Sequence, residues 1–211
     1  MTTAGENTLS DVNDIPELVP TAESRRRRST VEVWDETTRP VASDPPAVRA
    51  YTVRGRAAAA GLKEVHGHLR AELAQVLDLI QQVARGTLSA HEARLGLAEM
   101  KLRQNNWAAG AYCASYCLFV AAHHAGEDHE IFPYLRSHEA RLGAVIDRLE
   151  HEHRIIHQQL DRIDQALLSL IEGRSTMAEL GGAIDVLSDA LLSHLAFEEA
   201  QLLEALARHF A

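Results

Sequence analysis

Apolar residues recur every three or four positions through most of the chain after residue 55, and no such period runs before it. Residues 56–86, RAAAAGLKEVHGHLRAELAQVLDLIQQVARG, put Leu62, Val65, Leu69, Leu73, Val76 and Ile80 on one helical face, with Gly86 as a stop. SAHE (Ser89–Glu92) then reads as a capping box, in which a hydroxyl and a carboxylate satisfy free backbone N–H groups at a helix start. Helical pattern continues from Leu95 to about Leu135, broken near RQNN (Arg103–Asn106), with Pro133 close to its end. A third stretch covers 141–173, RLGAVIDRLEHEHRIIHQQLDRIDQALLSLIEG, and stops at Gly173. TMAE (Thr176–Glu179) is a second capping box, opening a last helix to about residue 209. Four long amphipathic helices with short connections predict an all-α fold, an antiparallel up-down-up-down four-helix bundle over residues 51–211.

Residues 1–50 break the pattern. Five of the six prolines lie between residues 16 and 46, beside an arginine run at Arg25–Arg28. This predicts a disordered polar tail. The arginines read as a solvated charge run, and together with Trp34 they leave open a protein partner that no motif names. Abundant alanine, leucine and glutamate favour helix. A net charge of −9 argues against nucleic acid as a partner. No run of about 18 apolar residues is evident, so no membrane span is expected. The first 30 residues carry no apolar signal segment, and the expected location is cytoplasmic. The two cysteines, Cys113 and Cys117, make no disulfide framework. They read as small buried hydrophobes, with a redox-responsive pair as the alternative. Trp107, Tyr112, Tyr116 and Phe119 read as core or edge packing.

Histidine changes the picture. There are twelve, none within the first 65 residues, so the enrichment belongs to the folded part. HHAGEDHE (123–130) holds three histidines and three carboxylates in eight positions. Residues four apart share a helix face. His123 and Glu127 have that spacing, as do His153 and His157, and His194 and Glu198. The first helix adds His66. Each of the four helices thus offers an inward-capable ligand at one level of a bundle. Imidazole with carboxylate suits iron, manganese or zinc. A carboxylate has two oxygens and can bridge two ions, which a neutral imidazole cannot. A ferritin-type site needs two Glu-x-x-His motifs, and only Glu150–His153 is present in the folded part. His124 with Asp128 rivals His123 with Glu127, Glu199 rivals Glu198, and His68 rivals His66.

A first-helix His, then H-x-x-x-E followed by IFP, then H-x-x-x-H, then H-x-x-x-E, resembles the hemerythrin or HHE cation-binding family over roughly residues 55–209. WAAGAYCASYCLFVAAHHAGEDHEIFPYL (107–135) resembles actinobacterial members in particular. The resemblance implies a non-haem di-iron centre with an Fe–O–Fe or Fe–OH–Fe bridge. It places His153, His157 and His194 on one iron, His66 and His123 on the other, and Glu127 and Glu198 between them. It favours His123, ten residues before Pro133, and His66, followed by Leu69-Arg70. The apolar face also favours His66, which lies between Leu62 and Leu69. His129, His138 and His151 are expected at the surface or behind the ligands, and His68, His91 and His209 as ordinary polar residues.

Counting positions on two octahedral irons leaves one open, on the iron with two histidines. An open position suits O2, peroxide or NO. The expected function is storage, sensing or buffering of O2 or a related oxidant. The alternatives are a di-iron enzyme detoxifying peroxide or NO, a metal- or redox-responsive regulatory module, and a metal-free interaction protein. His123→Ala and His153→Ala are predicted to lower bound iron, measured by metal analysis, while His91→Ala leaves it unchanged.

Overall fold

The computed structural model describes residues 15–22, 26–43, 50–84 and 109–210. The expected stop at Gly86, the SAHE cap, the RQNN break, His91, Trp107 and the side chains of Tyr112 and Cys113 lie outside the described positions. Within them the protein is all-α, and four helices are long: α1 (Val53–Ala84), α2 (Ala109–Gly126), α4 (Gly143–Ile171) and α5 (Met177–His209). A short α3 (Phe132–His138) continues the line of α2.

Local chemistry sets the boundaries. Thr176 caps α5 and exchanges hydrogen bonds with Glu179, the capping box expected from TMAE. At the end of α4, Gly173 takes φ +69°, the left-handed turn a glycine adopts without a side-chain penalty. Its N–H bonds to the carbonyl of Leu170, and that of Arg174 to Ser169, which closes the helix. Between α2 and α3, Glu127–Ile131 form a π turn, in which the N–H of Phe132 reaches the carbonyl of Glu127. Pro133 follows without an N–H, which loosens the ladder there.

The apolar core has two parts. One holds Leu69, Leu73, Val120, Ile156, Leu191 and Leu195; the other holds Leu62, Phe132, Leu142, Leu149, Leu202 and Leu206. Full burial of each such side chain contributes roughly 1.5–3 kcal/mol. Between the two parts, the switch takes about two turns on α1 (Leu62 to Leu69) and α4 (Leu149 to Ile156), and along the helices polar residues fill the gap: His66, His124 with Glu127, Glu152 with His153, and Glu198 with Glu199, all buried. The candidate ligands form a polar layer between two dry ones.

Two sequence expectations change. Residues 15–22 and 26–43, placed in a disordered tail, lie against the helices. Leu18 is buried in the second core part, and Val33 and Trp34 pack on the first. Two arginines of the run face the chain's own acids: Arg27 pairs with Glu32, Arg28 lies 3.8 Å from Asp185, and the N–H groups of Arg28 and Ser29 bond to Asp189. Second, α5 is long and apolar enough to cross a membrane by length and composition alone. Its apolar stripe forms part of the core, and the same helix carries the buried His194, Glu198 and Glu199.

The helices approach closely at Gly55. A Cβ there would overlap the carbonyl of Ala207 and stand 2.8 Å from the carbonyl oxygen of Leu206. Gly61, two turns on, has nothing within 4 Å of its Cβ position. Gly55→Ala should destabilise by ~1–3 kcal/mol, whereas Gly61→Ala should be neutral or stabilise by up to ~1 kcal/mol, read from denaturant melts.

Candidate metal centre

Within the polar layer the donor atoms form two groups. The atoms of His66, His123, Glu127 and Glu198 lie within 4.8 Å of one another, and so do those of His124, His153 and His194. Six of the seven residues expected from sequence are therefore brought together. The seventh, His157, stands one turn along α4, half-buried, its ring 5.4 Å from that of His124.

The two carboxylates lie between the groups. Glu127 sets Oε1 at 3.2 Å from Nε2 of His123 and Oε2 at 3.5 Å from Nε2 of His153. Glu198 sets Oε2 at 3.6 Å from Nε2 of both His66 and His194. Glu199, the rival of Glu198, turns away. Its Oε1 accepts from Nδ1 of His66 at 2.9 Å and from Arg70 at 2.8 Å, and its Oε2 from the N–H of Thr21 at 2.6 Å. His68 points outward, bonding at 3.3 Å to the carbonyl of Glu64 on its own helix. His129, His138 and His151 are exposed, and none touches the donor groups.

His124 was expected only as a rival of His123, yet both are inside. Neighbours on a helix differ by about 100°. Because α2 wedges between α1 and α4, each imidazole faces a different helix. The ring of His123 lies 5.1 Å from that of His66, and the ring of His124 stacks at 3.9 Å on that of His153. A single-face reading of α2 hides this.

A second ring of carboxylates also escaped the sequence reading. Glu199 holds His66, Glu152 accepts from Nδ1 of His194 at 3.1 Å, and Asp128 from Nδ1 of His153 at 2.8 Å. An ionised carboxylate only accepts, so Nδ1 carries the proton and Nε2 presents its lone pair to the layer. The only signal in sequence was a carboxylate next to a candidate ligand: Asp128 beside Glu127, Glu152 beside His153, Glu199 beside Glu198.

The electrostatics favour a cation. Burial, reinforced by His66 and His153, pushes His123 down to about 3. Burial and the surrounding imidazoles hold His124 and His194 well below the ordinary histidine range. These rings are neutral. Burial would raise Glu199, but the bonds from His66, Thr21 and Arg70 outweigh it and hold the group at about 2. Burial and then the charge of Glu198 push Glu127 well above its usual range. The Nε2 atoms of His66, His123 and His157, both ring nitrogens of His124 and all four oxygens of Glu127 and Glu198 have no hydrogen-bond partner. Buried polar atoms are normally paired, so this concentration of bare donors needs an occupant. The Nε2 atoms of His153 and His194 stand 3.1 Å apart. Two adjacent ligands on one ion, each at ~2.1 Å, would stand ~3 Å apart. The residues fit a metal.

Without metal, Glu127 favours its protonated form. Its folded value lies above its unfolded one, so folding loses stability as pH rises past the ordinary 4.5. Under chelator, the buried neutral imidazoles gain stability as pH rises toward 6.5 while Glu127 loses it, so over that range Tm should rise more steeply with pH in Glu127→Gln than in the wild type. Equal slopes would show that this carboxyl is not poised as described.

Comparison with known proteins agrees. Residues 57–206 match the profile of the hemerythrin HHE cation binding domain. No curated protein and no solved structure gives a match. The match spans most of the chain and contains all four helical motifs of the polar layer, so the chain belongs to the hemerythrin HHE cation-binding domain family.

Proposed function

We propose that this chain is a non-haem di-iron protein that binds O2 or a related small oxidant, to store, sense or buffer it. The observation that carries the proposal is the pair of buried carboxylates between two imidazole groups. Two cations side by side need shared anions, and a carboxylate with one oxygen for each supplies that. In this reading His66 and His123 hold one iron, His153 and His194 the other, and Glu127 and Glu198 lie between. The resemblance assigns His157 as the third imidazole of the second iron; the grouping supports His124 in that place, with His157 just outside.

When bound, the metal pair supplies exchangeable electrons and an exchangeable coordination position. The chain supplies the surroundings. Its two dry core parts exclude water above and below the layer. Glu199, Glu152 and Asp128 keep a proton on the far nitrogen of three imidazoles and so hold the near nitrogen ready. Burial keeps the imidazoles neutral, so little proton competition arises near neutral pH. The same reading takes the helices as an antiparallel up-down-up-down bundle over residues 51–211. It is supported by contacts at both ends: Gly55 against Ala207, and Ile80 against Gly181.

The test is metal content with an ultraviolet–visible spectrum, on protein purified without a histidine tag, reduced and then exposed to air. About two irons per chain and a new absorption that reverses on cycling reductant and air are expected. No iron, or zinc without an oxygen-dependent band, would overturn the reading. Sustained turnover of peroxide or NO would replace binding with catalysis.

A further inference from the structure

Two of the carboxylates behind the imidazoles are held by residues that lie outside the matched domain. Arg39 grips Glu152 with both ends of its guanidinium, Nε to Oε1 at 2.8 Å and Nη2 to Oε2 at 2.9 Å. Such two-point pairing fixes the carboxylate plane as well as its place. Arg39 is itself fixed: Nη1 bonds Ser193 at 2.9 Å, and its guanidinium lies 4.7 Å from the ring of Phe197. Glu152 is fully buried and passes this hold to Nδ1 of His194. Its other partner, Arg148, is also held from the N-terminal side, by the carbonyl of Asp35 and the hydroxyl of Thr38. The second contact is Thr21, whose N–H bonds Glu199, the carboxylate behind His66. That stretch is pinned by Leu18 in the core and by Lys63, which bonds the carbonyls of Pro16 and Val19.

We propose that the N-terminal segment is a working part of the metal centre, with Thr21 and Arg39 as positioning residues, one for each donor group. Thr21 acts through Glu199 on His66; Arg39 acts through Glu152 on His194. The segment sets the tautomer and aim of one imidazole on each side of the layer. The inference rests on the metal reading above. Loss of partners behind a metal-ligating histidine typically lowers metal affinity 10–100-fold. Thr21 holds Glu199 through its N–H and also through its hydroxyl, so the substitution that removes both is to proline, which has neither.

The experiment uses the full chain, as wild type, Thr21→Pro, Thr21→Ala, Arg39→Met and Arg39→Lys. Two readouts are taken beside a thermal melt of the metal-free protein: anaerobic titration with Fe(II), and the proton NMR signals of hydrogen-bonded imidazole Nδ1–H groups in metal-free protein. Arg39→Met should weaken iron binding ~10–100-fold and move the His194 signal while the His66 signal stays. Thr21→Pro should do the reverse. Arg39→Lys and Thr21→Ala, which keep a cation and the N–H, should fall closer to the wild type. If Arg39→Met fails to fold, the two Thr21 variants decide. Wild-type iron affinity and unmoved Nδ1–H signals in folded Thr21→Pro and Arg39→Met would overturn the inference and leave the proposed function standing. A wild-type chain that takes up no iron would overturn both.

Discussion

The structure depends on a set of lone pairs with nowhere to go. Imidazole nitrogens and carboxylate oxygens meet in one layer, away from water and largely without hydrogen-bond donors. In a low-dielectric interior such a layer repels itself. It is stable only if protons or cations stand among the donors. Everything around it serves that requirement. Apolar packing on both sides keeps water out, and outer carboxylates accept hydrogen bonds from the Nδ1–H groups on the far side of three rings. The fold contains a built-in electrostatic deficit that a metal relieves. Metal uptake and folding stability are therefore coupled, because the same groups that bind the ion destabilise the chain without it.

That coupling explains why so many charged groups are buried. Glu152 and Glu199 would be costly inside the protein alone, yet each has a guanidinium and an imidazole as partners. They carry negative charge close to the candidate cations without occupying a ligand position. The arrangement resembles nested shells: donors inside, carboxylates behind them, guanidinium and backbone N–H groups outermost.

Much of the inner shell was legible in sequence because helical geometry is regular. A spacing of four sends His123 with Glu127, and His194 with Glu198, to the same face, and the apolar period shows which face is buried. The rule fails where a residue's surroundings are not set by its own helix. His124 is inside because α2 touches two neighbours at different angles. His157 has the right spacing from His153 and a buried Nε2 without a partner, but it stands a turn along α4, outside the two close donor groups. Glu199 against Glu198 could not be separated by period alone, since both are buried, and only tertiary contacts with His66, Arg70 and Thr21 distinguish them. The N-terminal segment was least legible. It is held by isolated anchors such as Leu18, Arg39 and single backbone N–H groups, which leave no repeating mark in a chain rich in proline and arginine.

The π turn at Glu127–Ile131 has a consequence of phase. In a regular α-helix, residues five apart differ by about 140° around the axis. Glu127 and Phe132 are five apart, yet Glu127 reaches the donor layer and Phe132 is fully buried in the apolar part beyond it. The wider turn, closed by the bond from Phe132 to Glu127, brings the two back into line. One extra residue thus acts as a phase corrector between chemistry and packing. With a strictly regular helix there, the chain would aim either the Glu127 carboxylate or its aromatic anchor correctly, but not both.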